Sequence, residues 1–206
     1  MIYQMRPLAC DPARLPGFSE ALIVSHYENN YGGAVKRLNA IAAELATLDV
    51  ESAPVFVLNG LKREELIATN SMSLHEVYFD SLGYSGPPDE SIKTAIERDF
   101  GSVARWQAEF RAMGKALGGG SGWVLLSYSA RDQRLINQWA PDHAHTLACG
   151  TPILALDMYE HSYHMDFGAK AAAYVDAFMQ NIRWQQVAAR FEASASKPAA
   201  VMRLNQ

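Results

Sequence analysis

The chain is poor in the features that would assign it quickly. It has only two cysteines, Cys10 and Cys149, far apart in sequence. That spacing excludes a disulfide framework and a thiolate metal site. Basic residues are outnumbered, with 18 Lys and Arg against 22 Asp and Glu and a net charge of −4. A nucleic-acid partner, which asks for a clustered basic surface, is therefore not expected. No apolar run approaches bilayer length, so no membrane partner is expected. The opening stretch MIYQMRPLACDPARLPG has no apolar core of a secretory signal, and a cytoplasmic protein is the expectation. There are no repeats and no low-complexity tracts. No serine or cysteine sits in a nucleophile elbow. The GGGSG run at 118–122 lacks the Lys and Ser/Thr of a phosphate loop and reads as a turn before a strand.

What remains is an ordinary globular composition, 206 residues at 49% hydrophobic and 19% charged, enough for a sizeable core. From Ser19 to Leu48 apolar residues recur at helical spacing, with YGG at 31–33 as the expected kink. A second helical stretch is expected from Arg63 to Leu82, so the two form a hairpin with a long connection. GYSGPPDES at 83–91 is the strongest linker, with Asp89 as the expected N-cap of the next helix. Residues 1–86 are thus expected to form an N-terminal helical hairpin domain and residues 87–206 a C-terminal α/β domain. In the second part, helices are expected at 91–101 and 102–118. The GWVLLSYSARDQRLINQWA segment then alternates like a hairpin turning near Ala130–Gln133. TPILALD at 151–157 reads as a third, buried strand, and helix returns from Tyr159 to Ala195. The fold class is α+β, with a small antiparallel sheet.

Of the six histidines, two sit oddly. His26 lies one turn after Leu22, and His75 lies just before Tyr78 and Phe79, so both face the apolar side of their helices. One such histidine alone reads as a core imidazole satisfied by a backbone carbonyl. Two on facing helices, with Asp157 and His161 ending a third element, make a nitrogen and oxygen ligand set for one transition metal. Without thiolates a closed structural zinc site is not expected. Glu28, Glu44, Glu64 and Glu65 read as solvated helix faces. The spacing leaves both readings open, a mononuclear metal site and a pair of core histidines.

The motifs decide between them. DMYEHSYHMDF at 157–167 resembles the D-x-W-E-H-A-Y-Y signature of the iron/manganese superoxide dismutases. GGSGWVLL, HYENNYGGAVKRLN, SLHEVYFDSL and NIRWQQVAARF are similar to further segments of that family, so the resemblance spans nearly the whole chain. It implies a helical hairpin followed by an α/β domain with a three-stranded antiparallel sheet. It implies one Fe or Mn ion per subunit, held by His26, His75, Asp157 and His161 with a water as fifth ligand. The implied activity is disproportionation of superoxide to dioxygen and hydrogen peroxide. The implied assembly is a homodimer or homotetramer, with Glu160 reaching across to the partner's last ligand and His164 at the same interface. The alternatives are a metalloprotein of this fold with a weak or different redox or binding role, and a metal-free structural homologue.

Several positions depart from the family pattern. The gateway tyrosine is Ala34, and Tyr31 lies nearly a turn away. The second gateway group is Asn30, the cross-subunit tyrosine is His164, and the signature tryptophan is Tyr159. Trp123 is kept, but the aromatic two positions later is Leu125, and a basic residue near the substrate funnel falls on Ala171. The glutamine that bonds the metal-bound solvent is missing, with Ser71 at one of its two usual places. At the other, His143 is the candidate and Gln138 the weaker one. His143, Asn30 and His164 are therefore the expected catalytic residues.

Overall fold

The computed structural model describes residues 2–84 and 86–196. The first helix, α1 (Glu20–Ser25), starts where the Ser19 hydroxyl accepts the Leu22 N–H, a side-chain cap for an orphan donor. It widens into a π-helical stretch, His26–Tyr31, and continues as α2 (Gly32–Thr47). The kink expected at YGG is thus realised one turn earlier, beginning at His26 itself. Helix α3 (Val55–Asp80) returns antiparallel, as the pairings Tyr31 with Glu76 and Arg37 with Glu64 require.

Helix α3 begins eight residues before the expected Arg63. The long connection is therefore mostly helix, and only Leu48–Pro54 links the pair. The reason is visible at its start. Val55 and Phe56 are 84% and 74% exposed, so their apolar character reflects no core-facing stripe and broke the periodicity used to place the helix.

After α3 come α4 (Glu90–Phe100) and α5 (Val103–Ala116). Asp89 is the N-cap residue of α4 by position, but its side chain makes no capping hydrogen bond. Gly101, at φ +87°, lets the chain turn out of α4. The sheet follows as β1 (Trp123–Ser129), β2 (Arg134–Ala140) and β3 (Gly150–Asp157), all antiparallel in the order β2–β1–β3. Gln133 at φ 52° forms the turn between β1 and β2. The first rung of β1 pairs Trp123 with Ala140 on one side and with Asp157 on the other. Gly122 precedes it at φ +126°, and a Cβ there would lie 2.3 Å from the Ala140 carbonyl oxygen.

The expected C-terminal helix is broken into a 3₁₀ turn, Glu160–Ser162, then α6 (His164–Phe167), α7 (Ala171–Gln180) and α8 (Trp184–Ala195). Gly168 at φ 54° ends α6. The core is continuous and aromatic, with Trp106, Phe110, Trp123, Tyr174 and Phe178 all fully buried. It joins the helix pair to one face of the sheet, and the inward histidines lie along that seam.

Candidate metal centre

Four side chains from three parts of the chain meet at the seam. His26 comes from the π-helical stretch and His75 from the middle of α3. Asp157 is the last residue of β3, and His161 lies in the 3₁₀ turn beyond it. One ligand atom from each lies within 4.8 Å of the others, and this is the one such cluster among the described residues. The Nε2 atoms of His26, His161 and His75 stand 3.1, 3.3 and 3.5 Å from a single oxygen, Asp157 Oδ2. His26, His75 and Asp157 are buried, and His161 keeps 29% of its side chain exposed.

Each ring is held by groups behind it. His75 Nδ1 lies 2.7 Å from the Ser71 carbonyl, which can only accept, so the ring proton sits on Nδ1 and Nε2 carries a lone pair. That Nε2 is a buried atom with no hydrogen-bond partner. Asp157 is fixed at both ends. Its Oδ1 accepts the Tyr159 N–H at 2.9 Å, and its carbonyl accepts the Tyr174 hydroxyl at 2.7 Å. Burial alone would raise the Asp157 carboxyl pKa. The hydrogen bonds to His161 and His26 outweigh it and hold the group well below the usual range. Burial, reinforced by the neighbouring His26, pushes His75 down to about 3. Burial lowers His26 too, against the opposing pull of Asp157. The result is a neutral His26 and a neutral His75 beside an ionised Asp157, the protonation state a transition metal requires of such ligands. The lone pair stranded on His75 Nε2 fits a cation at the centre of the cluster, since a proton there is disfavoured and a buried unpaired acceptor is costly.

His143 sits next to this cluster, its ring 6.2 Å from that of His75. The Trp123 indole N–H donates to His143 Nδ1 at 3.0 Å, so in the neutral ring the proton is on Nε2. The Asn70 side chain donates to the His143 carbonyl at 2.6 Å. Tyr159 stacks between His143 and His161, with ring centres 4.8 and 5.4 Å away. Asn30 lines the same cavity as His143 and Ser71. His164 is exposed at the start of α6 and does not line this cavity. Gln138 lies on β2, where its Oε1 accepts from the Ser127 hydroxyl at 3.5 Å. Tyr31 is not a replacement for the missing gateway group. Its hydroxyl donates to Glu76 at 3.0 Å and accepts the Arg6 N–H at 2.9 Å.

The sequence reading did not find Asn70, Tyr174 or Ser162. The Ser162 hydroxyl lies 2.9 Å from the Asp157 carbonyl. All three act on backbone carbonyls, which residue type does not announce.

The fold and the cluster together define an α+β protein built around one buried group of three imidazoles and a carboxylate, the donor set of a mononuclear transition-metal site. Residues 88–190 match the model of the iron/manganese superoxide dismutases, C-terminal domain. A superoxide dismutase [Fe] of Cupriavidus metallidurans is 79% identical over 94% of this chain and 98% of its own length. Superoxide dismutase [Fe] of Aquifex pyrophilus is 33% identical over 88% of this chain and 87% of its own. Superoxide dismutase [Mn] 1 of Halobacterium salinarum is 32% identical over 95% and 98%. The chain belongs to the iron/manganese superoxide dismutase family.

Proposed function

We propose that the protein is a superoxide dismutase, converting two superoxide anions and two protons to dioxygen and hydrogen peroxide at one Fe or Mn ion. His26, His75, Asp157 and His161 are its ligands in this reading. The observation that carries it is the convergence of three imidazole Nε2 atoms on Asp157 Oδ2, with His75 Nε2 left without a proton or a partner. The relative at 79% identity is named for iron, which supports iron as the first metal to load.

When bound, the ion supplies the one-electron oxidation of one superoxide and the one-electron reduction of the next. The chain supplies charge, orientation and protons. Asp157 brings one negative charge, which moderates the cation's potential. His143, held by Trp123 with Nε2–H unpartnered among the described residues, is the proton donor for the reacting anion, the role the family's glutamine supports. Asn30 offers a carboxamide to orient water along the same cavity.

Dimer or tetramer formation through Glu160 and His164 belongs to the same reading. It is supported by the exposure of both residues beside the partly exposed His161. The division at residues 86 and 87 into a hairpin domain and an α/β domain is supported by the family match beginning at residue 88. A cytoplasmic location is supported by the two free cysteines; among the described residues no helix is long and apolar enough to cross a membrane. Elemental analysis of the purified protein, with dismutase assays on iron-loaded and manganese-loaded samples, tests the function. Superoxide consumption no faster than with the free metal would end this reading.

A further inference from the structure

The strand order leaves β2 with one neighbour, β1, and so with one open edge. Backbone groups along an antiparallel strand alternate between the neighbour and the far side. The Leu135 N–H donates to Asp99 at 2.7 Å, so Leu135 faces away from β1. The regular pairing with β1 carries the same phase to Asn137 and Trp139. Just before the strand, the Gln133 carbonyl accepts from the Arg98 guanidinium at 3.3 Å. Arg98 and Asp99 therefore cap the first part of the edge. Beyond them, the outward N–H and C=O groups of Asn137 and Trp139 make no hydrogen bond among the described residues. Proteins usually blunt such an edge with a proline, a lysine or a bulge. From Asn137 to Trp139 this one has none of these.

A cavity of about 360 Å³ runs beside the open edge. Arg134 and Ile136 come from one face of β2 and Asn137 from the other, yet all three line it, which places it along the edge and not over a face. Arg105 and Glu109 on α5 form the opposite wall. None of its lining residues borders the cavity at Asn30, Ser71 and His143. Its two acids are already engaged. The Arg98 guanidinium holds both Asp99 oxygens, and Glu109 accepts from the Asn137 carboxamide at 2.9 Å. The Arg105 and Arg134 guanidiniums make no ion pair or hydrogen bond among the described residues. The groove thus presents two unpaired cations on a chain of net charge −4. Trp139, 56% exposed, lies near the end of the strand. Tryptophan is the side chain that most often anchors a docked partner.

We propose that this edge is a docking site for an extended, acidic segment of a partner protein, which adds to the sheet as a fourth strand beside β2. Backbone hydrogen bonds to Asn137 and Trp139 hold the segment. Its carboxylates meet Arg105 and Arg134, and one of its apolar side chains packs on Trp139. Charge decides against a second copy of this chain as the occupant. That copy would bring the same two cations, with its neighbouring acids already engaged. The inference does not depend on the protein being an active dismutase, since no residue of the metal cluster takes part.

The probe is the amidated peptide Glu-Thr-Val-Thr-Val-Glu, labelled with fluorescein at its N-terminus and titrated with metal-loaded protein by fluorescence anisotropy. The controls are the same peptide with Lys in place of Glu, and the acidic peptide N-methylated throughout, which has no backbone N–H to donate. Saturable binding in the high-micromolar range is expected for the first and none for the other two. Hydrogen exchange with the unlabelled acidic peptide should slow at the Asn137 and Trp139 amides. Arg134→Glu should abolish binding. Arg105→Ala should weaken it about threefold, the scale of one exposed ion pair, and Trp139→Ala about tenfold. Metal content and dismutase rate should stay at parent values in all three variants. No saturable binding, equal binding of either control peptide, or binding that ignores both Arg134→Glu and Trp139→Ala overturns the proposal. So does a change in the oligomeric state of peptide-free Trp139→Ala on size-exclusion chromatography, which would assign the edge to a second copy. Peptide binding in this pattern by protein with no dismutase activity would sink the proposed function and leave this site standing.

Discussion

The indole nitrogen of Trp123 and the imidazole Nδ1 of His143 lie 3.0 Å apart. Because indole nitrogen can only donate, this single bond fixes which His143 nitrogen carries the proton. Asn70 fixes the backbone of the same residue from the opposite side. Replacing His143 with Ala should leave metal content near that of the parent and lower the dismutase rate by roughly 10²-fold, the scale of a lost general acid. Trp123→Phe and Asn70→Ala should lower it less, through a misplaced donor. Metal analysis beside steady-state or pulse-radiolysis rates reads both. An unchanged rate in His143→Ala would remove this residue from the proton path.

His75→Ala removes the lone pair stranded beside Asp157. Metal retention after extensive dialysis should fall to substoichiometric levels, with activity lost in parallel. Circular dichroism of the variant should keep its helical signal, because α3 is held by neighbours other than this ring. A variant that keeps a full complement of metal would contradict the assigned ligand set.

The metal-free protein should lose stability in acid. His75, whose ordinary value is 6.5, is pushed down to about 3 in the fold, and His26 is lowered as well. Below about pH 6.5 the unfolded chain takes up protons that the folded site refuses, so stability falls as pH drops through this window. One such histidine costs about 1.4 kcal/mol per pH unit. Asp157, held low in the fold, loses its own contribution as pH falls below its unfolded value. Both effects have the same sign. Thermal melts of metal-free protein between pH 7 and pH 3.5 should show a steadily falling Tm; a flat profile would contradict the burial of neutral imidazoles.

Gly122→Ala should be among the costly single substitutions. The position sits at φ +126° with the Ala140 carbonyl 2.3 Å from where a Cβ would be. Strain and clash together cost about 2 kcal/mol or more, read as a drop in Tm. Relief by movement of 140–141 also shifts the loop carrying His143, so activity should fall further than stability explains.

Much of this was legible in the sequence, and the divisions are instructive. The four cluster residues were legible because metal chemistry is tied to side-chain type and to local spacing. The sheet was legible through its alternation and its β-forming residues. The start of α3 was not, because Val55 and Phe56 face solvent and so break the apolar periodicity that marks a helix. The π-helical stretch was displaced from the expected kink because its cause is a change in backbone hydrogen bonding at His26, not the glycines that follow. Asn70 and Tyr174 were invisible in their roles because each acts on a backbone carbonyl supplied by a segment far along the chain.

The pairing of Trp123 with Asp157 on the first rung of the sheet reaches beyond geometry. Side chains on a strand alternate faces, so a one-residue slip of β3 against β1 would turn Asp157 away from the imidazoles. His26 and His75 belong to an antiparallel helix pair and can meet without the sheet. The carboxylate cannot join them until the strands are aligned. Under the proposed ligand set, metal capture would act as a proofreader of strand alignment, because only the correctly registered chain presents all four donors and gains the binding energy of an ion.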